Sequence, residues 1–108
     1  MADEQVSVVA RAKAPEGMTD RLRGELEALV EPTRSEEGCI NYDLHQGTED
    51  PSVFFFYENW QSVDDLNRHL ESPHVQAFLG NMDELTVDGV EITQLRMVSP
   101  PNAGTAGR

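Results

Sequence analysis

The sequence predicts an α+β fold of the ferredoxin-like type, with an antiparallel sheet and helices on one face. The chain has 108 residues, which is room for one domain. Its hydrophobic pattern runs strand, helix, strand, strand, helix pair, strand, the order of a split βαβ unit. One strand is apolar on both faces, as in a sheet covered on both sides. We expect the domain to span residues 1–98 and a flexible tail of Pro, Gly and small polar residues to span residues 99–108.

The first strand is predicted at Val6–Ala14, where the pattern alternates until Pro15 stops it. A helix follows, because apolar residues recur at intervals of three and four: Met18, Leu22, Leu26, Leu29 and Val30. Pro32 either kinks or ends this helix, and Gly38 closes the connection to the next strand.

The second and third strands are predicted at Cys39–Gln46 and Val53–Trp60. In the second, Ile40, Tyr42 and Leu44 face one way, and Asn41, Asp43 and His45 face the other. In the third, Phe54, Phe56, Glu58 and Trp60 share one face, and Val53, Phe55, Tyr57 and Asn59 share the other. Since helices cover only one face of such a sheet, the apolar second face predicts a homodimer that packs sheet against sheet.

A helix pair is predicted next. Ser62 and Asp65 resemble a capping box, so one helix begins there with a buried stripe of Val63, Leu66 and Leu70. Ser72 as N-cap and Pro73 at the first helical position begin another. Its core face comprises Val75, Phe78, Leu79 and Met82, with an extension to Leu85.

The last strand is predicted at Val90–Val98, after a turn at Asp88-Gly89. The same turn is also compatible with a short hairpin that begins at Leu85-Thr86-Val87. The sequence alone leaves both arrangements open.

Composition excludes several classes of function. Asp and Glu number 20 against 8 Lys and Arg, a balance that disfavours nucleic acid and anionic membranes as partners. No segment approaches the ~18 apolar residues that span a bilayer, and the N-terminus lacks a signal-peptide pattern. Cys39 is the only cysteine, so no internal disulfide forms. We therefore expect a cytoplasmic protein, and the acidity suits a bacterial host.

Two histidines are the main candidates for proton transfer. His69 lies about 60° to 100° round its helix from Leu66 and Leu70, at the edge of the buried stripe. His74 lies in the first turn of the following helix, near Phe78. Each could instead be an ordinary boundary histidine. The two do not share a helix face as an i, i+4 pair would, so no metal site is predicted.

The aromatic residues of the third strand are core or interface residues by default, and one face of them could line a ligand pocket. Glu58 lies among them and needs either a partner or a raised pKa. A structural ion pair with an arginine is the simpler explanation. Asn41 is a candidate polar contact, and nothing around Cys39 indicates a nucleophilic thiol.

Three segments, in this order and spacing, resemble the antibiotic biosynthesis monooxygenase family, which includes bacterial quinol monooxygenases. They are Glu37-Gly38-Cys39-Ile40-Asn41-Tyr42, Tyr57-Glu58-Asn59-Trp60 and His69-Leu70-Glu71-Ser72-Pro73-His74. The resemblance covers about Val6 to Val98.

The resemblance implies a dimer of ferredoxin-like subunits (a dimeric α/β-barrel) with a pocket between sheet and helices in each. It also implies an oxidation of a quinol, phenol or anthrone by O2 without a cofactor. His69 matches a pocket position and would act as base or stabilise the anion. Trp60 and Phe78 would contact the ring, Tyr57 and Asn41 would be polar contacts, and His74 would lie at the pocket edge.

Other branches of the family remain as alternatives. Haem degradation is disfavoured, because Ala10, His69 and Phe78 or Leu79 stand where that branch has its haem residues. A phosphorylated substrate is disfavoured by the single lysine, Lys13. An isomerase of the same superfamily and a non-catalytic dimer that binds a small ligand both stay open.

Overall fold

A computed structural model describes residues 4–100 of the chain. Its elements, in order, are β1 Val6–Lys13, α1 Thr19–Glu27, α2 Val30–Arg34, β2 Cys39–Gln46, β3 Val53–Trp60, α3 Val63–Leu70, α4 Pro73–Gly80, α5 Met82–Leu85 and β4 Val90–Leu95. The predicted bounds of the second and third strands are confirmed. Residues 101–108 of the predicted tail lie outside the described residues.

The four strands form one antiparallel sheet in the order β2-β3-β1-β4, with the helices on one face, as the sequence predicted. We call the side under the helices the covered face and the opposite side the open face. The core lies between the covered face and the helices, and its largest fully buried side chains include Trp60, Phe54, Leu22, Leu66 and Leu85. The ferredoxin-like fold is therefore confirmed.

The first predicted helix is divided in two. α1 ends at Glu27, and α2 begins at Val30 and contains Pro32. Proline has no backbone N–H, so Pro32 cannot bond the carbonyl of Ala28, and the helical ladder is interrupted at that point. Between the two helices, Leu29 N–H bonds the carbonyl three residues back, that of Leu26, at 3.1 Å. Pro32 thus separates two helices, and its effect appears one turn before the residue itself.

The start of α3 follows the predicted cap. Ser62 Oγ accepts the N–H of Asp65 at 3.2 Å and donates to that residue's carboxylate at 3.0 Å. The predicted buried stripe is wrong at one position, because Val63 is exposed and the buried side of α3 includes His69 and Leu66. The helix is therefore rotated so that the imidazole, rather than the first valine, packs on the core.

The turn between α3 and α4 holds the two histidine-bearing helices in place. Ser72 precedes Pro73 as predicted, but its hydroxyl makes no cap bond to α4. It donates instead to the carbonyl of His69 at 2.6 Å. The hydroxyl therefore ties the start of α4 back to the end of α3.

The chain after α4 resolves the hairpin question in favour of a helix. Leu85 ends α5, and no strand is found at residues 85–87. Asp88 and Gly89 form the turn, both with positive φ. β4 ends at Leu95 rather than Val98. Leu95 pairs with Ser7 of β1, and β1 begins at Val6, so β1 offers almost no partner for the residues after Leu95.

One irregularity changes which side chain of β2 reaches the core. A bulge shifts the register between Cys39 and Asn41, so Cys39 pairs with Trp60 and packs against the core. Ile40, which was expected beside Tyr42, lies in the bulge and lines a surface hollow.

Within residues 4–100, no helix has both the length and the apolar character needed to cross a bilayer.

Candidate active site

A cavity lies between the covered face of the sheet and the helices. Its volume is about 60 Å³, and we call it the sheet–helix cavity. Its walls are mainly apolar and come from β1, β2, β3, β4, α1, α3 and α4, including Ala10, Leu26, Tyr42, Phe56, Phe78 and Leu79. Ile92, which also lines the cavity, is 43% exposed, so the cavity reaches solvent beside β4. Three buried titratable residues, Tyr42, Glu58 and His69, line the cavity, and Arg11 also lies against it.

Glu58 is a carboxyl group buried on an apolar wall. Its residue is 3% exposed, because the alternation of β3 places it between Phe56 and Trp60 on the covered face. Trp60 Nε1 donates to Glu58 Oε1 at 2.9 Å. Among residues 4–100 the ion pairs do not include Glu58, so an arginine partner within the same subunit is wrong. Burial, followed by the nearby charge of Glu36, raises the pKa of Glu58 to about 7, although the Trp60 bond opposes this.

His69 is equally buried, at 3% exposure, near the end of α3. Its ring lies 4.7 Å from that of Trp60 and 5.3 Å from that of Tyr42, measured between centroids. Burial lowers its pKa, and Glu36 partly opposes that change. Nδ1 lies 3.1 Å from Glu36 Oε2. Nε2 has no hydrogen-bond partner in the part of the chain that the structure describes, so it is the nitrogen left for a ligand.

Glu36 joins both histidines. Its Oε2 lies 3.1 Å from His69 Nδ1 and 2.6 Å from His74 Nε2. These three residues form what we call the Glu36 cluster. Gly38 allows the approach: its φ is +85°, and a Cβ there would collide with Asp65 of α3. The loop before β2 can therefore press against the helix that carries His69.

Two further side chains near the cavity have raised pKa values and stay protonated near neutral pH. Tyr42 stacks on Phe56 with ring centroids 4.2 Å apart, and burial raises the pKa of its phenol, so it stays protonated. The pKa of the Cys39 thiol is raised to about 11, mainly by burial and then by Glu36. A raised thiol pKa opposes nucleophilic character, in agreement with the sequence.

The structure brings only part of the predicted site together. His69 and Phe78 line the cavity. Trp60 stands behind them, fully buried, where it contacts the His69 ring and bonds Glu58. His74 lies beyond His69, on the far side of Glu36, rather than in the cavity wall. Trp60 therefore contacts Glu58 and His69 from behind the cavity wall, and His74 is linked to His69 through Glu36.

Tyr57 and Asn41 lie on the open face, away from the cavity. Tyr57 is 41% exposed, and Asn41 Nδ2 donates to the Tyr57 carbonyl at 3.1 Å. Asn41 also accepts from Asn59 Nδ2 at 2.9 Å. The period-two alternation had already placed Tyr57 opposite Trp60. A site that includes Trp60, Tyr57 and Asn41 together is therefore not what this subunit forms.

Glu36 is the residue that the sequence reasoning missed, and Glu58 is the one it undervalued. The signal for Glu58 was visible as a carboxylate within an aromatic strand. Glu36 carries no comparable signal, since it lies in a polar loop, 33 residues before His69 and 38 before His74. Only the folded chain places these three side chains together.

The arrangement suits proton transfer next to a small apolar ligand. Glu36 orients His69 through Nδ1, which leaves Nε2 to accept a proton. Glu58, with a pKa of about 7, can hold a proton near neutral pH and donate it in a hydrogen bond. The apolar walls exclude water and strengthen both interactions.

Comparison with known proteins identifies the family of the chain. The model of the family described as "Antibiotic biosynthesis monooxygenase" matches residues 5–81. The chain is 32% identical over 98 residues to the Mycobacterium tuberculosis protein named "Putative monooxygenase Rv0793", covering 91% of this chain and 96% of that protein. The Bacillus subtilis protein YcnE, which carries the same kind of name, is 27% identical over 78 residues, 72% of this chain and 82% of YcnE.

Solved structures show the same fold. The structure of Rv0793 superposes with a TM-score of 0.85 and 29% identity, covering 92% of this chain and all of that one. PA3566 from Pseudomonas aeruginosa superposes with a TM-score of 0.82 and 33% identity, covering 92% of this chain and 99% of that one.

Proposed function

The chain belongs to the antibiotic biosynthesis monooxygenase family, and on that premise we propose that it oxidises a small electron-rich aromatic molecule with O2. The substrate class is a quinol, phenol or anthrone, and the reaction uses no cofactor. The observation that carries the proposal is the pair of buried groups, Glu58 and His69, on the wall of an otherwise apolar cavity. A buried acid and a buried base have little structural use there unless a ligand with a mobile proton joins them.

The reaction balances without an added reductant. A base removes a proton from the substrate, and the resulting anion passes electrons to O2, which then forms a bond to a ring carbon. Loss of water leaves a carbonyl at that carbon. One oxygen atom enters the product and the other leaves as water, and the substrate supplies all four electrons. The protein has to form the anion, hold it beside O2 and exclude bulk water.

The two polar groups divide the proton transfers. Neutral His69 accepts the substrate proton at Nε2, and Glu36 stabilises the imidazolium through Nδ1 at 3.1 Å. Protonated Glu58 donates a hydrogen bond to the substrate anion and then a proton to the departing water. Phe78 and Tyr42 contact the ring from the cavity walls.

The small size of the cavity bears equally on the oxidation and on an alternative function. At about 60 Å³ it is smaller than the ~150 Å³ cavity known to hold benzene, so a ring must displace side chains near Ile92 to enter. A site that admits a ligand without O2 chemistry, as in a binding protein or an isomerase, has the same structural support. Measurement of oxygen consumption separates these functions.

The test is oxygen uptake by metal-free protein with a panel of small quinols and anthrones, corrected for autoxidation. We expect uptake above background that falls at least ~100-fold in His69→Ala, a typical effect of removing a catalytic base. Equal rates in wild type and His69→Ala would remove His69 from the mechanism. Binding of the ring without uptake would favour the alternative.

The matched control is His45→Ala. His45 is an exposed histidine on the open face, where its Nδ1 lies 3.1 Å from the Asp43 carbonyl. Its replacement removes an imidazole from the same chain without touching the cavity. Uptake should therefore match wild type. A loss equal to that of His69→Ala would mean that the effect is not local to the site.

We also propose that the chain forms a homodimer joined through the open faces. The open face carries exposed Tyr57 and Leu95 and half-buried Val9 and Phe55, which is apolar area that no helix covers in this subunit. Sedimentation should give a dimer for wild type and a smaller species for Phe55→Glu, which places a charge in the contact. An unchanged sedimentation profile would exclude this interface.

A further inference from the structure

We propose that the Glu36 cluster is a binding site for one divalent transition-metal ion, of the Zn²⁺ and Co²⁺ class. The ligand atoms are Glu36 Oε2, His69 Nδ1 and His74 Nε2, which all lie within 4.8 Å of one another. This inference goes beyond the proposed oxidation, and the binding it describes does not depend on that reaction.

The chain brings the two imidazoles together across a helix break. His69 and His74 are five residues apart, a spacing that puts them on different faces of a continuous helix. Here the break at Ser72-Pro73 separates α3 from α4, and the His69 and His74 ring centroids lie 6.3 Å apart. Ser72 Oγ bonds the His69 carbonyl and also lies 3.3 Å from His74 Nε2. The turn therefore holds both rings against the same carboxylate.

The two distances from Glu36 Oε2 to the histidine nitrogens are slightly shorter than the distances between ligand atoms in a metal site. Bonds of about 2.0–2.2 Å in a tetrahedral site place neighbouring ligand atoms about 3.3–3.6 Å apart. Glu36 Oε2 now lies 2.6 Å from His74 Nε2 and 3.1 Å from His69 Nδ1, which are hydrogen-bond distances. Each of these two distances would increase by about 1 Å or less if a metal ion replaced the shared protons, and the two imidazole nitrogens already lie within 4.8 Å of each other.

The donor set selects the class of ion. Two imidazoles and one carboxylate suit transition metals, whereas Mg²⁺ and Ca²⁺ prefer sites built from oxygen alone. Three protein ligands leave a coordination position for water. His74 and Glu36 side chains are 23% and 18% exposed, which gives an ion a path from solvent, while His69 at 3% anchors the inner side.

Metal binding would change what His69 can do; this consequence, unlike the binding itself, rests on the proposed function. A metal on Nδ1 requires the ring proton to sit on Nε2, the nitrogen proposed to accept the substrate proton. The ion would therefore inhibit the oxidation, and a chelator would restore it.

The binding test uses full-length protein, stripped with a chelator and titrated with Co²⁺ in excess Mg²⁺. Mg²⁺ occupies surface carboxylates, which matters for a chain with net charge −12. We expect the intense visible absorption bands of low-coordinate Co²⁺ at one ion per chain, and their loss when Zn²⁺ is added. Octahedral Co²⁺ spectra only, or no saturable binding, would overturn the proposal.

Variants locate the ion. Glu36→Gln keeps the shape of the side chain and removes its charge, and His74→Ala removes one imidazole; each should weaken Co²⁺ binding at least ~10-fold. His45→Ala is the control, and its affinity should equal that of wild type. Equal affinities in all four proteins would place the ion elsewhere and overturn the assignment.

A second measurement uses wild type alone, in case a variant does not fold. On addition of Zn²⁺, the ring ¹⁵N signals of His69 and His74 should move while those of His45 stay in place. Movement of His45 alone, or of none, would contradict the site. Since neither measurement uses an aromatic substrate, failure of the metal site and failure of the proposed oxidation remain distinguishable.

Discussion

The polar groups on the two sides of the sheet differ in how fully they are hydrogen-bonded to other residues. On the open face, Asn59 accepts from Gln5 at 3.0 Å and donates to Asn41, which in turn donates to Asp43. On the covered face, Glu58 has one partner, Trp60, and the Nε2 of His69 has none among residues 4–100. A connected network satisfies its own members and stabilises structure. Buried groups with spare hydrogen-bonding capacity beside a cavity indicate a site for something else.

The largest expected effect is on stability and contrasts one aromatic residue from each face. Phe54, 1% exposed on the covered face, should lose about 3–5 kcal/mol of unfolding free energy on replacement by Ala, through lost burial and a new cavity. Tyr57→Ala, on the open face, should cost about 1 kcal/mol or less in the monomer. Urea unfolding at a concentration where the protein is monomeric measures both. Equal losses would mean that the open face is also covered.

The next effect concerns the buried carboxyl group of Glu58. Its pKa is raised from 4.5 to about 7, so native Glu58 holds a proton that the unfolded chain has already released between these values. The associated stability is complete below pH 4.5 and is lost as the pH rises through about 7. Glu58→Gln removes the penalty, so its advantage over wild type should grow to about 3 kcal/mol above pH 7.

Urea unfolding of wild type and Glu58→Gln at several pH values between 4.5 and 8 measures this difference. The matched control is Asp43→Asn, which changes an acidic residue of the open face that pairs with Arg34 at 3.0 Å. It should show no comparable rise in stability with pH, because an exposed pair contributes little. A pH-independent difference between Glu58→Gln and wild type would show that the carboxyl group is not desolvated.

A smaller effect tests whether the open-face network is structural. Asn59→Ala removes the residue that joins Gln5, Ser7 and Asn41. We expect a loss of about 1–3 kcal/mol, because partly buried partners are left without hydrogen bonds. Oxygen uptake per folded molecule should not change. A lower rate in a protein that remains folded would connect the open face to the reaction.

The smallest effect concerns Tyr57, a residue that the sequence placed at the site. Because Tyr57 lies on the open face, Tyr57→Phe should leave kcat/KM for the aromatic substrate unchanged. The oxygen electrode assay measures this with the same substrate as for His69→Ala. A decrease comparable to that of His69→Ala would mean that the hydroxyl reaches a substrate across the sheet, and the contrast between the two faces would fail.

Much of the fold could be predicted because it depends on local patterns. The continuous apolar run that defines Val53–Trp60 and the cap at Ser62 act within a few residues, and the structure reproduces both. The errors lie where distant partners decide. β4 ends where β1 no longer pairs with it, and Val63 is exposed because α3 turns its histidine side to the core.

The site was predictable to the same extent. The sequence by itself determined the covered-face residues Glu58 and Trp60 and a histidine near the buried stripe, because periods of 2.0 and 3.6 residues fix which side of an element each residue occupies. The tertiary structure alone decided that Glu36 meets His69 and His74. Three short segments contact one another there, and no periodicity of the chain encodes contacts between residues more than 30 positions apart.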